Sequence, residues 1–295
     1  MKIVTHNGKF HSDDVFAVAT LLTIYPDSEV IRTRDPEIIR SADMVVDVGD
    51  IYDPDNNRFD HHQVGGAGQR ENGVPYSSFG LVWKKFGEQI CGSAKIMGNI
   101  DKSLVQSMDA GDNGVNTFNV IIPGVKPHLI NNIIYSYRAT WKEEDRWDER
   151  FAEAVEWAKT YLNRLIKTEE DFIEGASIVR RSYELANDKR IILVESEQPL
   201  GREIVGGILS EFPEPVYAVL LTRDHIHWQV LAVNIDRATL SLRKALPESW
   251  RAKHDKDFDV ITGVEGGVFC HGSGFMCTTN NKESALKLAE IALNA

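Results

Sequence analysis

The chain begins MKIVTHNGKFHSDDVFAVATLLTI (residues 1–24), a short apolar stretch, a polar turn and a longer apolar stretch. Residues 2–5 have the composition of a buried β-strand, whereas residues 15–24 have the three- and four-residue apolar spacing of a helix. Ser12 is the predicted N-cap of that helix, because its hydroxyl can accept a hydrogen bond from a free backbone amide. The stretch therefore predicts a strand that leads directly into a helix, with polar side chains at the junction.

The next elements repeat this alternation. Residues 28–32 predict a second strand, residues 36–40 a short helix, and the apolar run at residues 44–48 a buried parallel strand. The order β-α-β-α-β indicates an α/β fold, a parallel sheet with helices on both faces. Functional groups of such sheets collect beyond the carboxyl ends of the strands, where His6 and Asp47 are expected.

The remainder of the chain predicts a second domain. Residues 77–181 are mainly helical in pattern, and the polar residues 186–190 indicate a boundary. The sequence thus predicts an N-terminal α/β domain over residues 1–186 and a smaller C-terminal α+β domain over residues 187–295. Three strands and a closing helix are predicted in the second domain, at residues 191–194, 217–222, 228–233 and 283–293.

Composition limits the functional class. The 295 residues include 33 basic and 44 acidic side chains, for a formal net charge of -11. Proteins that coat long nucleic acids normally carry a basic surface, so this balance disfavours duplex DNA and favours short or small phosphate substrates. Three cysteines without a CxxC pair, and the lack of a signal-like or membrane-spanning apolar run, predict a soluble cytoplasmic protein that does not bind membranes.

Four separated segments carry side chains that can bind metal ions. Each alone has an ordinary interpretation, as helix-terminal acids, a polar turn or a surface tripeptide. Together they would crowd several carboxylates, whose burial and repulsion are costly unless cations compensate them. Imidazole and carboxylate ligands without a thiolate favour Mn²⁺, Mg²⁺ or Co²⁺ over structural zinc. The segments are residues 6–14 with His6, His11, Asp13 and Asp14, the strand-terminal Asp47, Asp60-His61-His62, and residues 109–112 with Asp109 and Asp112.

Six motifs follow one another along the chain: THNGKFHSDD (5–14), VVDVGDIYDPDNNRFDHH (45–62), SSFGLVWKKFG (77–87), MDAGDNG (108–114), LPESWRAK (246–253) and VFCHGSGF (268–275). In this order they resemble the DHH phosphoesterase superfamily. More closely, the chain is similar to the melanocyte-proliferating-gene family, which comprises metal-dependent hydrolases and, in eukaryotes, 3′-to-5′ RNA exonucleases. One departure is Phe10, which stands where the superfamily usually has an aspartate.

The resemblance implies two bound divalent metal ions, with Mn²⁺ favoured and Mg²⁺ or Co²⁺ as alternatives. It implies that the catalytic residues are Asp60, His61 and His62, of which His62 assists proton transfer or contacts phosphate. The choice between Asp13 and Asp14 as a ligand stays open. The implied metal ligands are His6, Asp13, Asp47, Asp60, His61 and Asp109.

A glycine-rich segment in the second domain, residues 266–274, surrounds one histidine. Glycines let backbone amides approach an anion closely, and a helix start after the segment would add further donors. The resemblance implies a DHH-associated domain that holds substrate phosphates, and a tight turn between two strands is the alternative. The expected substrate-binding residues are His11, Arg243, Arg251, His271, Gly272, Ser273 and Gly274.

The expected function is metal-dependent hydrolysis of phosphoester bonds. The resemblance implies a 3′-to-5′ exonuclease that acts on short single-stranded RNA and releases nucleoside 5′-monophosphates. A pyrophosphatase or small-nucleotide phosphodiesterase is one alternative, because the same ligands suit it, and a non-catalytic metal- or nucleotide-binding regulator is another. The sequence leaves the oligomeric state open, with a homodimer as one alternative.

Overall fold

The computed structural model describes residues 1–237, 239 and 241–295. The chain divides into two compact units, Met1–Glu169 and Glu170–Ala295. The division lies inside a long helix, whereas the boundary predicted from composition lies just after the helix ends. A continuous helix has no compositional break at the point where its packing partners change, so sequence pattern does not mark this point.

The first unit contains a sheet with helices on both sides. Its strands are β1 (Lys2–Thr5), β2 (Glu29–Arg32), β3 (Met44–Val46), β4 (Tyr52–Asp53) and β5 (Arg58–Phe59). Its helices are α1 (Ser12–Ile24), α2 (Pro36–Ser41), α3 (Ser78–Cys91), α4 (Ala94–Ile100), α5 (Gln106–Asp112), α6 (Ile130–Ser136) and α7 (Trp147–Leu185), which continues into the second unit. A π-helical turn, Asp101–Val105, joins α4 to α5.

The strand order of the first sheet is β2-β1-β3-β5-β4. All neighbouring strands are parallel except β4, which runs antiparallel to β5. The predicted α/β fold is therefore confirmed. One local prediction is wrong, because the N-cap of α1 is His11 and Ser12 is the first helical residue. The reason is that the Asp14 carboxylate accepts a hydrogen bond from the His11 amide at 2.9 Å, which starts the helix one residue earlier.

The second unit is built on a mixed sheet of order β6-β7-β8-β10-β9. Strands β6 and β7 are parallel, and the other pairs are antiparallel. Helices α8 and α9 were not predicted, whereas the antiparallel pair β9 and β10 corresponds to the alternative of a tight turn between two strands in the glycine-rich segment. The strands are β6 (Ile191–Val194), β7 (Tyr217–Leu221), β8 (Trp228–Ala232), β9 (Gly267–Cys270) and β10 (Met276–Thr279), and the helices are α8 (Arg202–Leu209), α9 (Asp255–Thr262) and α10 (Lys282–Asn294).

Strand β7 explains why this sheet is stable with apolar side chains on both faces. Tyr217 and Val219 pack into one hydrophobic cluster, and Ala218 and Leu220 pack into another. Because successive side chains of a strand point to opposite faces, the continuous apolar run of β7 requires a cover on each side. Within the described residues, no helix is both long and apolar enough to cross a membrane.

The reactivity of the Cys270 and Cys277 thiols can be used to test this packing. The two residues are register partners across β9 and β10, and both are buried and unoxidised. Burial raises the pKa of Cys270 to about 11 and also raises the pKa of Cys277. The thiolate is the reactive form, so at pH 8 only about one Cys270 in 10³ is reactive. We expect very slow iodoacetamide labelling of both residues in the native protein and rapid labelling in guanidinium chloride, measured by peptide mass spectrometry; rapid native labelling would contradict the burial.

Candidate metal centre

Three adjacent parallel strands bring their terminal polar residues into one row. In the register of β1, β3 and β5, Val4 pairs with Val45, and Val46 pairs with Phe59. Continuing this register by one or two residues places His6, Asp47 and Asp60 side by side just beyond the strand ends. Neighbouring strands lie roughly 4.8 Å apart, so side chains in such a row can contact one another.

Asp47 lies at the centre of the polar group that forms there. Its backbone φ is 57°, in the left-handed region that side chains other than glycine seldom adopt. The Nε2 atom of His6 lies 3.2 Å from Asp47 Oδ2 and 3.2 Å from Asp14 Oδ2. On the other side, the Nε2 atom of His61 lies 3.4 Å from Asp47 Oδ1. Backbone strain of this kind is typical of functional sites, where the surrounding structure holds the residue in place.

Helices α1 and α5 complete the group. Asp13, in the first turn of α1, has its Oδ2 atom 3.7 Å from His61 Nε2. Asp112, at the end of α5, has its Oδ2 atom 3.2 Å from the same nitrogen. Among the described residues, three sets of ligand atoms lie within 4.8 Å of one another, and the sets overlap in Asp47 and His11. We call the whole group the His–Asp cluster; its members are His6, His11, Asp13, Asp14, Asp47, His61, His62 and Asp112.

Several polar atoms of the cluster are buried without a hydrogen-bond partner among the described residues. They include both carboxylate oxygens of Asp13, Oδ2 of Asp14, Oδ2 of Asp47 and Nε2 of His61. The contacts of His61 Nε2 with Asp13, Asp47 and Asp112 are therefore close approaches that lack hydrogen-bond geometry. Buried polar atoms are nearly always paired in native proteins, so these atoms have the arrangement expected of ligands to a cation.

The buried carboxylates of the cluster also raise the pKa values of its histidines. Burial alone would lower the pKa of His6, but the carboxylates of Asp14 and Asp47 outweigh it and raise the pKa to about 10. Burial likewise opposes ionisation of His61, yet Asp112 and Asp47 raise its pKa to about 10. Protonated imidazoles thus compensate the carboxylates when no other cation is bound.

The surroundings shift the pKa values of Asp13 and Asp47 in opposite directions. Burial, and then the charges of Asp47 and Asp112, raise the pKa of Asp13 well above its ordinary value. Burial also acts to raise the pKa of Asp47, but His6 and His61 hold that pKa below its ordinary value. Asp13 is the cluster carboxylate with both oxygens buried and unpaired, and it therefore has the most to gain from a divalent cation.

Asp60, which the resemblance implies as a metal ligand, accepts hydrogen bonds from the chain with both carboxylate oxygens. Its Oδ1 atom accepts hydrogen bonds from the His61 amide at 2.7 Å and the His62 amide at 3.1 Å, and it lies 2.7 Å from His62 Nδ1. Its Oδ2 atom accepts a hydrogen bond from the Asp50 amide at 2.7 Å. Both oxygens are engaged, so Asp60 shapes the turn that presents His61 and His62 to Asp47.

Asp109 is also fully engaged. Its Oδ1 atom accepts hydrogen bonds from Ser77 Oγ at 2.6 Å and the Gly80 amide at 3.0 Å, at the start of α3. Its Oδ2 atom forms an ion pair with Arg70 at 2.6 Å. Asp112, three residues later on α5, contacts His61 instead. The resemblance implied Asp109 as the ligand, and residues three apart lie on the same face of a helix; here it is Asp112 that reaches a histidine of the cluster.

The start of α3 supports two carboxylates at once. Ser77 donates a hydrogen bond to Asp109, and the hydroxyl of Ser78 donates one to Asp47 Oδ1 at 2.9 Å. The positive end of the helix dipole further favours negative charge there. The SSFG motif of the sequence therefore has a local physical role, which is to hold the acids on either side of it.

Arg138 is a neighbour of the cluster that sequence reasoning did not identify. It lies just beyond α6, and its guanidinium carbon is 3.7 Å from the centre of the Tyr135 ring. Its Nε atom donates a hydrogen bond to the Phe10 carbonyl at 2.6 Å. The charge of Arg138 interacts with that of Asp14, and the Tyr135 ring lies 6.4 Å from that of His11. No spacing rule links residue 138 to residues 10–14, since tertiary packing alone joins them.

The expected substrate-binding residues of the C-terminal part lie in the second unit. His271, Gly272 and Ser273 are exposed in the turn between β9 and β10, where His271 Nδ1 lies 2.9 Å from Ser273 Oγ. The element that follows this turn is strand β10, so the prediction that a helix start would supply further amide donors is wrong. Gly274 has a φ of 73°, and a Cβ atom there would lie 2.8 Å from Arg251 Nε.

Arg243 and Arg251 both support the backbone of this unit. The Arg243 guanidinium donates to the carbonyls of Pro215 at 2.8 Å and Ser210 at 2.9 Å. Arg251 donates to the Leu246 carbonyl at 3.3 Å. Their role in phosphate binding stays a prediction, and these contacts show that each arginine also fastens a loop.

Comparison with known proteins supports one family. A family model with the name MYG1_exonuc, described as "Uncharacterised protein family (UPF0160)", matches residues 2–293. The MYG1 protein of Dictyostelium discoideum is 30% identical, covering 100% of this chain and 97% of the relative. The MYG1 protein C694.04c of Schizosaccharomyces pombe is 28% identical over 100% of this chain and 98% of its own length. The human MYG1 exonuclease is 30% identical over 99% of this chain and 85% of its own length.

No solved structure matches the chain. The family match, by contrast, spans nearly the whole sequence, including every segment that contributes to the His–Asp cluster. The chain therefore belongs to the MYG1 family.

Proposed function

We propose that this protein is a metal-dependent exonuclease whose His–Asp cluster binds two divalent cations, with Mn²⁺ favoured. The observation that carries the proposal is Asp13, which is fully buried beside Asp47 and Asp112 with neither carboxylate oxygen hydrogen-bonded within the described part of the chain. A cation is the simplest partner for such a group. The relatives named MYG1 exonuclease supply the reaction class.

The ligands in this proposal come from four segments. When bound, the ions would supply the Lewis acidity that polarises a phosphodiester and activates water. Asp60 and Asp109 act as positioning residues, because their oxygens already hold His62 and the start of α3. The ligand set is His6, Asp13, Asp14, Asp47, His61 and Asp112, with His11 at its edge.

His62 is the group that moves a proton. Its Nδ1 atom is held by Asp60, so its Nε2 atom is the one left for substrate. The hydrogen bond to Asp60 raises the pKa of His62, which favours the protonated ring that can donate to a leaving oxygen. The side chain is 52% exposed, in contrast to the buried ring of His61, and an incoming phosphate can therefore reach it.

The proposed substrate is the 3′ end of a short single-stranded RNA, and the product is a nucleoside 5′-monophosphate. The sequence resemblance supports this choice of substrate and direction, and the name MYG1 exonuclease of the human relative supports the exonuclease class. The net charge of -11 agrees with a short strand end that is bound locally, because a protein that coats long polymers needs a basic surface.

A substrate panel tests the proposal. Purified protein with Mn²⁺ is given 5′-labelled single-stranded RNA, the matching DNA, a cyclic dinucleotide and pyrophosphate, with and without a chelator. We expect stepwise shortening of the RNA from its 3′ end, release of nucleoside monophosphates, and loss of both with chelator. Phosphate release from pyrophosphate alone would instead identify a pyrophosphatase. Protein that binds Mn²⁺ but turns over nothing would identify a regulator.

Variants of Asp112 and Asp109 distinguish a metal ligand from a positioning residue. We expect Asp112→Asn to lower bound Mn²⁺ and reduce the rate by about 10²-fold or more, with stability little changed, because it removes a ligand from a crowded acidic group. We expect Asp109→Asn to lower the free energy of unfolding by about 1–3 kcal/mol, since it weakens the partly buried pair with Arg70. Metal analysis and urea denaturation of both variants give the comparison. Equal metal loss with unchanged stability in Asp109→Asn would reverse the assignment.

Arg138 is expected to stabilise negative charge on the substrate. Replacing it with alanine should reduce kcat/KM by roughly 10- to 100-fold without loss of bound Mn²⁺. Arg138→Lys should recover little, because an ammonium group cannot stack on Tyr135 and reach the Phe10 carbonyl as the guanidinium does. Arg146→Ala is the control, since Arg146 pairs with the exposed Glu149 on the surface. Unchanged kcat/KM in Arg138→Ala would exclude this role.

A further inference from the structure

Arg32, the last residue of β2, is buried beside the turn that carries His6 and His11. Its side chain is only 3% exposed, and in the register of β1 and β2 it pairs with Thr5, directly before His6. Burial of a guanidinium group is costly unless strong hydrogen bonds offset the lost hydration. The contacts of Arg32 therefore indicate what its charge is used for.

The guanidinium group has two polar partners among the described residues. Its Nη1 atom pairs with Asp148 Oδ1 at 2.8 Å, and its Nη2 atom donates a hydrogen bond to the Gly8 carbonyl at 2.7 Å. The Asp148 side chain is 77% exposed, and an ion pair with so exposed a carboxylate stabilises a protein little. The bond to the Gly8 carbonyl is therefore the more protected of the two contacts.

Two aromatic rings hold the guanidinium group in place. Its central carbon lies 4.5 Å from the centre of the Phe151 ring and 5.7 Å from the centre of the Phe10 ring. The two rings contact each other edge to face, with their centres 5.6 Å apart. A planar guanidinium group against such rings has little freedom left to lose when it forms a hydrogen bond. Arg32 thus contacts the turn twice, at the Gly8 backbone and at the Phe10 ring.

The turn itself lies outside any helix or strand, so its carbonyls depend on partners from other parts of the chain. Gly8 has a φ of 81°, in the left-handed region, and glycine gives the backbone no stiffness of its own. The Phe10 carbonyl is bonded to Arg138, as described above. Two guanidinium groups therefore hold the backbone between the two histidines, one at residue 8 and one at residue 10.

The placement of His6 and His11 follows from this turn. Both belong to one set of ligand atoms, together with Asp47. Metal ions accept ligand distances within a range of about 0.2 Å, so a small shift of the turn disturbs both imidazoles at once. Another ligand set takes no residue from the turn; its members are Asp47, His61 and His62.

We propose that Arg32 is a positioning residue of the metal centre, whose hydrogen bond to the Gly8 carbonyl fixes the turn that brings His6 and His11 to one of the two cations. The inference rests on the proposed function, because it takes a pair of bound ions as given. It assigns the affinity for one ion to an arginine outside the ligand set. The ion held beside His61 is then nearly independent of Arg32.

Titration of the metal-free full chain with Mn²⁺ tests the proposal, with calorimetry and the electron paramagnetic resonance signal of free Mn²⁺ as readouts. We expect Arg32→Met to weaken one Mn²⁺ site by about 10- to 100-fold, as is usual when a group that orients a ligand is removed, and to leave the other within about threefold. Methionine keeps apolar packing against the two rings and removes the donors. Arg32→Lys keeps the charge and a single donor group, and we expect its affinity to lie between those of Arg32→Met and the unaltered protein.

Two variants serve as controls. Arg40→Met is the same substitution at an exposed arginine, which pairs with Glu37 on the surface of α2. Asp148→Asn removes the ion pair of Arg32 and keeps its bond to the Gly8 carbonyl. We expect both controls to keep both Mn²⁺ affinities within about twofold of those of the unaltered protein.

Hydrogen exchange of the metal-free protein gives a second readout that does not depend on bound ions. The amides of residues 7–11 should exchange about tenfold faster or more in Arg32→Met, because the turn opens more often without its bond to β2. We expect no such change in Arg40→Met or Asp148→Asn.

Unchanged Mn²⁺ affinities in Arg32→Met would overturn the inference, and so would an equal loss at both sites, because the effect would then be general. A loss as large in Asp148→Asn would also overturn it, since the ion pair rather than the Gly8 carbonyl would be responsible. Failure of the unaltered chain to bind Mn²⁺ would reject the proposed function. In that case faster exchange in Arg32→Met would still support its hold on the turn, whereas unchanged exchange would reject that as well.

Discussion

Asp47→Asn is expected to reduce hydrolysis by about 10³-fold or more and to remove most of the bound metal. The Nε2 atoms of His6 and His61 lie 3.2 and 3.4 Å from its carboxylate oxygens, so among the described residues Asp47 is the carboxylate that contacts both of these histidines. Asparagine tolerates the left-handed backbone that Asp47 adopts at a φ of 57°, and the substitution therefore changes charge with little change in conformation. Elemental analysis and the RNA assay together measure the effect.

Asp50→Asn is the matched control for this experiment. Asp50 belongs to the same turn and also has a positive φ, 55°, but its side chain is exposed. We expect metal content and rate close to those of the unaltered protein. If both variants lose activity equally, the turn rather than the Asp47 carboxylate is what matters. If Asp47→Asn keeps its metal, the proposed centre is wrong.

The second large effect is expected from Gly80→Ala. A Cβ atom at this position would lie 1.9 Å from Asp109 Oδ2, far inside van der Waals contact, in a fully buried region. The Asp109 carboxylate would have to move, and its bonds to Ser77, Gly80 and Arg70 would be disturbed together. We expect the free energy of unfolding to fall by about 2–4 kcal/mol, measured by urea denaturation of the full chain.

Gly98→Ala provides the contrast, because no atom lies within 4 Å of the Cβ position there. Gly98 is in α4, where alanine is favoured over glycine by about 0.5–1 kcal/mol, so this variant should be slightly more stable. Gly80→Ala should also lose activity, since displacement of Asp109 moves the helix that carries Asp112. Equal stability of the two variants would show that Asp109 is not packed against α3 as described.

These two experiments address different levels of the structure. Asp47→Asn removes a negative charge that the cluster uses to bind cations. Gly80→Ala disturbs the packing that keeps α3 and α5 close enough for the cluster to form. A variant that unfolds loses activity for a trivial reason, and metal content relative to folded protein distinguishes the two cases.

Local pattern was sufficient for much of the first unit. The apolar runs near residues 2–5 and 44–48 became neighbouring parallel strands, and the polar residues that follow them, His6 and Asp47, lie together because parallel strands end at the same edge. Both facts depend on short-range spacing and on a general rule of sheet topology. They could therefore be predicted without knowing how the rest of the chain packs.

Long-range packing decided the details of the centre. Asp109 and Asp112 share a helix face, and the contacts of α3 and Arg70 with Asp109 left Asp112 to face His61. Arg138 reaches the carbonyl of Phe10 across more than a hundred residues. In the second unit, helix α8 was not predicted from the sequence. The physical reason is that spacing sets which way a side chain points along its own element, whereas the partner it meets depends on elements that fold from distant parts of the chain.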